Sequence, residues 1–228
     1  MAVINDPNTA ANVAYVAPVS TASAGYAIHT SPRPLPHGTL GHYRTCVKIT
    51  LAISQAANSR LFEVRNTHAT NLIIPTRVNV GLVVTGTVTT AYAAELGLFS
   101  ATSFTAVDTT NTVTPTTSRM RSTMTAYPGN AAVRHCTLAV AAAGMTGGTV
   151  TLDANYMSSL MIWAATGAAA SPAFVIYKDL ITPDNISGHL PTYAQNEGFV
   201  ITNVNVGSAT ANSLVALIDV SWAEVSAY

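Results

Sequence analysis

Beyond residue 42, apolar residues recur at every second position, and turn residues interrupt them at short intervals. Val78, Val80, Leu82 and Val84 alternate with Arg77, Asn79 and Gly81, while Leu214, Ala216, Ile218, Val220 and Trp222 form one face of a stretch whose other face carries Asp219 and Ser221. A period of two buries one face of a strand, whereas a helix would need its apolar residues three to four apart. Further strands are predicted over 45–53, 60–66, 131–141, 148–152, 173–177 and 199–206. Between them stand Tyr127-Pro128-Gly129-Asn130, Met145-Thr146-Gly147-Gly148, Thr182-Pro183-Asp184-Asn185 and Asn196-Glu197-Gly198, all strong turn sequences. Several short strands with this punctuation predict an all-β chain, an antiparallel β-sandwich of jelly-roll or Greek-key type. Residues 90–98 and 154–165 are Ala-rich and fit either a helix or a tightly packed strand.

The first forty residues have a different character. Pro7, Pro18, Pro32, Pro34 and Pro36, with Gly25, Gly38 and Gly41, disfavour a helix or a central strand. We expect an extended N-terminal arm over 1–41 and a β-sandwich domain over 42–228. Pro32-Arg33-Pro34-Leu35-Pro36 should lie near polyproline II, a stiff form that presents side chains to a partner. Such an arm is either a solvated tail or a strap held by a neighbour. Val13, Tyr15, Val16, Val19, Tyr26 and Ile28 favour the strap, because a tail does not need them.

Charge restricts the function classes. Only 9% of the 228 residues are charged, and ten basic residues balance ten acids, so a bulk polyanion-binding surface is not expected. Residues 1–140 nonetheless hold nine of the basic residues and four acids, a balance of +5, and residues 141–228 hold one and six, a balance of −5. Either the two signs occupy opposite faces and favour head-to-tail contact, or the halves interleave and the charges mix. Thr, Ser and Asn supply the remaining surface polarity, and a near-neutral exterior favours association with many neighbours. No secretory signal is visible, and no run approaches the ~18 apolar residues that span a bilayer, so a soluble chain made in the cytosol and independent of membranes is expected.

No motif for catalysis stands out. The nucleophile elbow G-x-S-x-G, the zinc motif H-E-x-x-H and the phosphate loop G-x-x-x-x-G-K-[ST] are all missing. The expectation is a non-enzymatic protein with no cofactor and no metal. His37 and His42, among six histidines with His29, His68, His135 and His189, could meet around a metal only if copies assembled. Asp179, Asp184 and Asn185 fit an Asx-turn better than a calcium loop. Cys46 and Cys136 form no metal or redox motif and are expected as buried free thiols, a disulfide requiring their strands to be neighbours. Arg119 and Arg121 flank Met120, so in a strand both guanidinium groups leave one face. They suit acidic groups on a partner first, then an ion pair within the chain, and nucleic-acid phosphate least, since no aromatic or lysine cluster accompanies them. With Arg33, Tyr15 and Tyr26 they are the candidate partner contacts.

A set of segments also resembles small structural proteins encoded among the virion genes of tailed bacteriophages and prophages. It comprises Ser103-Phe104-Thr105-Ala106 with Asp108, Arg119-Met120-Arg121-Ser122-Thr123-Met124, Gly148-Thr149-Val150-Thr151-Leu152-Asp153-Ala154-Asn155, Ala194-Gln195-Asn196-Glu197-Gly198-Phe199-Val200-Ile201, and Ser221-Trp222-Ala223-Glu224-Val225-Ser226-Ala227-Tyr228. The resemblance covers about residues 40–228 and leaves the arm unmatched. It implies a virion component, with capsid decoration or cementing as the leading role and a tail fibre, adaptor or receptor-contacting appendage as the alternative. The implied partners are copies of itself, a trimer among the possible assemblies, together with the major capsid protein or other virion proteins, without direct nucleic-acid contact. A carbohydrate-binding β-module is the third alternative.

Overall fold

The structure is a computed structural model describing residues 3–5, 13–18, 26–28, 40–51, 55–120, 122, 124, 126–136, 144–167, 175–181, 190–205 and 214–226, the first three stretches as backbone alone. The chain divides into two compact units, Met1–Pro34 and Leu35–Tyr228. In the first, β1 (Val3–Asn5), β2 (Val13–Pro18) and β3 (Tyr26–Ile28) pair as an antiparallel meander. Within the expected arm these short strands pair with one another, and Pro18 ends β2, opposite Tyr26; Pro7, Pro32, Pro34 and Pro36 lie outside the described residues.

The second unit holds β4 (Gly41–Thr50), β5 (Ser59–Asn66), β6 (Asn71–Val84), β7 (Tyr92–Phe104), β8 (Thr112–Val113), β9 (Ser118–Arg119), β10 (Ala131–Cys136), β11 (Val150–Leu152), β12 (Ser158–Ala164), β13 (Val175–Ile181), β14 (Gly198–Asn203) and β15 (Leu214–Ser226). It is all-β among the described residues: two antiparallel sheets packed face to face, as the alternation predicts. One sheet runs β13-β6-β15-β4-β9. The other runs β7-β14-β5-β10-β8, with β11 and β12 sharing the lane beyond β7.

Eight of these strands define the topology. If β4, β5, β6, β7, β12, β13, β14 and β15 are counted one to eight, the sheets read 1-8-3-6 and 2-7-4-5. This is the double Greek key of a jelly roll. Residues 105–149 form an insertion between the fourth and fifth strands, adding β9 beside β4 and β10 beside β5. Both ambiguous Ala-rich stretches are strands. The second becomes β12, whose seven residues follow β7 in unbroken register from Ser158↔Leu98 to Ala164↔Tyr92.

The core lies between the sheets, where Val78, Val80, Leu82, Ile218 and Val220 from one meet Phe62, Val64, Leu96, Leu98, Phe199 and Ile201 from the other. At one end Tyr43, Tyr127 and Trp222 form an aromatic cluster, with Tyr43 and Tyr127 edge-to-face at 5.0 Å between centroids. Beside it the buried Glu224 accepts from Asn130 Nδ2 (2.6 Å) and Trp222 Nε1 (3.4 Å), and burial raises its carboxyl above the ordinary range. The halves of opposite charge interleave. Asp219 on β15 pairs with Arg44 on β4 at 2.6 Å, and Asp179 on β13 pairs with Arg77 on β6 at 3.0 Å, each joining a late acid to an early base.

Candidate functional site: a buried acid pair and an exposed apolar row

Strand alternation on β5 sends Phe62 and Val64 into the core and Glu63 to the outer face, between Val200 on β14 and Arg134 on β10. An outward acid ordinarily meets water. Here residues of the 105–149 insertion lie over it, and Glu63 and Asp108 are both 0% exposed. The Asp108 N–H donates to Glu63 Oε1 (2.8 Å), and Arg60 Nη2 pairs with Asp108 Oδ1 (2.9 Å). The Gly148 N–H donates to the same Oδ1 (2.8 Å), while the Arg60 guanidinium also reaches the Met145 and Gly148 carbonyls. A side chain at Gly148 would meet the Ala106 carbonyl at 2.7 Å, so the two segments of the cover close over one another only because that position is glycine.

The cluster carries more acid than it neutralises. Glu63 Oε2, Asp108 Oδ2 and, across the strand pair, Arg134 Nε are buried without hydrogen-bond partners. Burial and the neighbouring Asp108 push the Glu63 carboxyl up to about 7, against the Asp108 N–H and Arg60, which favour its charged form. Closed off from solvent, the pair acts as a clamp that fastens the insertion to the sheet.

The other end of the same outer face has the opposite character. On β12, Leu160, Ile162 and Ala164 point inward, leaving Ser159, Met161 and Trp163 outside. Met161 is 63% exposed and Trp163 68%. Met157 and Tyr156 continue the exposed apolar run in the preceding turn, Tyr156 standing edge-to-face on Phe99 at 5.8 Å. Four large apolar side chains, Tyr156, Met157, Met161 and Trp163, are thus exposed along and just before β12.

The residues singled out in the sequence fall elsewhere. Arg119 is exposed on β9 and donates to the Met124 carbonyl (2.8 Å). The strand ends at Arg119, and Arg121 lies outside the described residues, as does Arg33. Tyr15 and Tyr26 sit on β2 and β3, opposite Val3 and Pro18, described for backbone only. His42 Nε2 is bonded to Thr76 Oγ1 (2.9 Å), and His68 Nδ1 accepts the Thr70 and Asn71 N–H groups in a turn. His29, His37, His189, Asp184 and Asn185 lie outside the described residues, while Asp179 belongs to a strand ion pair and not to a loop. Both cysteines are free. Cys136 is buried, which pushes its thiol up to about 12, but Cys46 is exposed. The expectation of a buried Cys46 is corrected by the strand phase, which sends Tyr43, Thr45 and Val47 inward and position 46 out.

Sequence reasoning missed both the clamp and the row. Glu63 and Asp108 stand 45 residues apart with no local signal to link them, and the row lay in an undecided stretch. No family model, no curated protein and no solved structure matches the chain.

Proposed function

We propose that the chain is a non-enzymatic structural subunit of a tailed-phage virion, made in the host cytoplasm and set on the head surface as a decoration or cement protein. The observation that carries this reading is the exposed apolar row on the outer face of β12, which suits contact with other proteins better than contact with water. The segment resemblance, which covers about residues 40–228, points the same way. In this reading the β-domain seats on coat subunits or on further copies of itself, and Tyr15, Tyr26 and Arg33 in the first unit, with Arg119 and Arg121, supply additional contacts.

The test is to purify particles from the host phage and count copies of this chain by quantitative mass spectrometry. A number proportional to the coat subunits supports decoration. A handful per particle assigns the chain to the tail and overturns decoration. Its absence from washed particles overturns the virion reading altogether.

A further inference from the structure

A sheet edge exposes unpaired backbone groups, and proteins blunt such edges with short strands, bulges and charges. Four of the edge strands in the second unit are blunted. β8 and β9 have two residues each, and β11 has three with a register shift between Thr151 and Leu152. β13 carries Lys178 and Asp179 and a shift between Asp179 and Ile181. β12 differs: seven residues, Ser-Ser-Leu-Met-Ile-Trp-Ala, without a charge, a proline or a bulge. Lys178 reaches across from β13 and donates to the Ser159 carbonyl (2.7 Å). That contact is exposed, and its ammonium is readily returned to water.

We infer that β12 pairs with β12 of a second copy, antiparallel about a twofold axis through Met161, joining the two six-lane sheets into one. The occupant follows from the strand's self-complementarity. In that register Met161 faces its own copy, and Leu160 faces Ile162 on the core side. Ser158 faces Ala164, small against small, and on the outer side Ser159 faces Trp163, so each indole lies over a small residue. Leu160, Met161 and Ile162 match their own reverse, Ser158 and Ala164 are both small, and Ser159 leaves room for the Trp163 indole. With no ionisable group on the strand, two copies also meet without like-charge repulsion. Such twofold contacts use one patch twice, and the backbone ladder supplies the affinity. The inference does not rest on the virion reading, because the purified chain alone tests it.

The experiment combines sedimentation velocity across a dilution series with site-specific cross-linking. The Cys46→Ser chain, which removes the exposed thiol, should sediment as a concentration-dependent dimer. With Met161→Cys added, mild oxidation should link two copies, because directly opposed antiparallel residues lie within about 4.5–5.5 Å, inside the range a disulfide spans. Ser159→Cys alone should not link, since its partner is Trp163. Met161→Lys places like charges at the axis and should loosen the dimer by about tenfold or more. Met161 is mostly exposed, so circular dichroism should show that variant folded. A chain monomeric at every concentration overturns the inference. So does a dimer that links through Ser159→Cys and not through Met161→Cys, or one that Met161→Lys leaves intact.

Discussion

The outer face of the six-lane sheet is two surfaces that reverse the usual placement of residues. On β5 the acid Glu63 is buried with Asp108 of the 105–149 insertion, and on β12 apolar side chains stand in water. Both ends belong to one sheet with one alternation, so the strands alone do not set the difference. What differs is the cover. At the first end the chain closes its own lid over the acids trapped beneath it; at the second the apolar row stands exposed among the described residues. The strength of the self-made cover and the indifference of the fold to the bare end are therefore separate, measurable properties.

The largest effect should come from Arg60→Ala. It leaves Glu63 and Asp108 facing one another with no paired cation, and removing one member of a buried pair costs on the order of 3–5 kcal/mol. Urea unfolding should show a loss of that size, with the 105–149 insertion losing hydrogen-exchange protection before the core strands. A loss below about 1 kcal/mol, the range of surface pairs, would mean that the cover is held by its backbone and not by the acid cluster.

Next comes pH. The Glu63 carboxyl titrates near 4.5 when unfolded and is raised to about 7 in the fold. Its protonated form therefore favours the folded state. That stability is fully present below about pH 4.5 and is lost as pH rises through about 7, a decline on the order of 1–3 kcal/mol. Glu63→Gln keeps an uncharged, hydrogen-bonding group in place, so the variant should overtake the parent chain as pH passes 7. A smaller slope of the same sign should persist from Glu224, which burial also raises. Parallel stability profiles for variant and parent would place the Glu63 proton elsewhere.

The sandwich was legible in the sequence because period-two burial is local: Val78 to Val84 and Leu214 to Trp222 state their inward faces within a few residues. The Ala-rich β7 and β12 segments were not, since alanine fits a helix or a close-packed sheet, and only their mutual register decides. The clamp was illegible for another reason. Glu63 looks like any outward strand acid until Asp108 and Gly148 fold over it, which depends on the path of the 105–149 insertion and not on any spacing near residue 63. Likewise, the exposure of Trp163 follows from the lane of β12 at the sheet edge, and no residue around it declares that lane.

A smaller effect separates buried from exposed charge. Arg44→Ala breaks the pair with Asp219, whose arginine side chain is 49% exposed. Solvent screening should hold the cost below about 1 kcal/mol, and added salt should shrink it further. Arg60→Ala in the same buffers should show little salt dependence. Equal salt sensitivity for the two arginines would remove the distinction between the covered and open surfaces.

The smallest effect belongs to the bare end. Trp163→Ser removes the largest exposed apolar side chain, and in a dilute, monomeric sample the fold should keep its stability within about 0.5 kcal/mol, as for surface positions generally. Dilution matters because a dimer adds its association energy to the apparent stability of each copy. The informative measurement is therefore a pair of melting curves, one dilute and one concentrated. Parent and variant should coincide when dilute and diverge when concentrated, with only the parent gaining. A variant already weakened when dilute would mean that Trp163 covers part of its own subunit, and the open end would then be, like the clamped one, a surface the chain closes for itself.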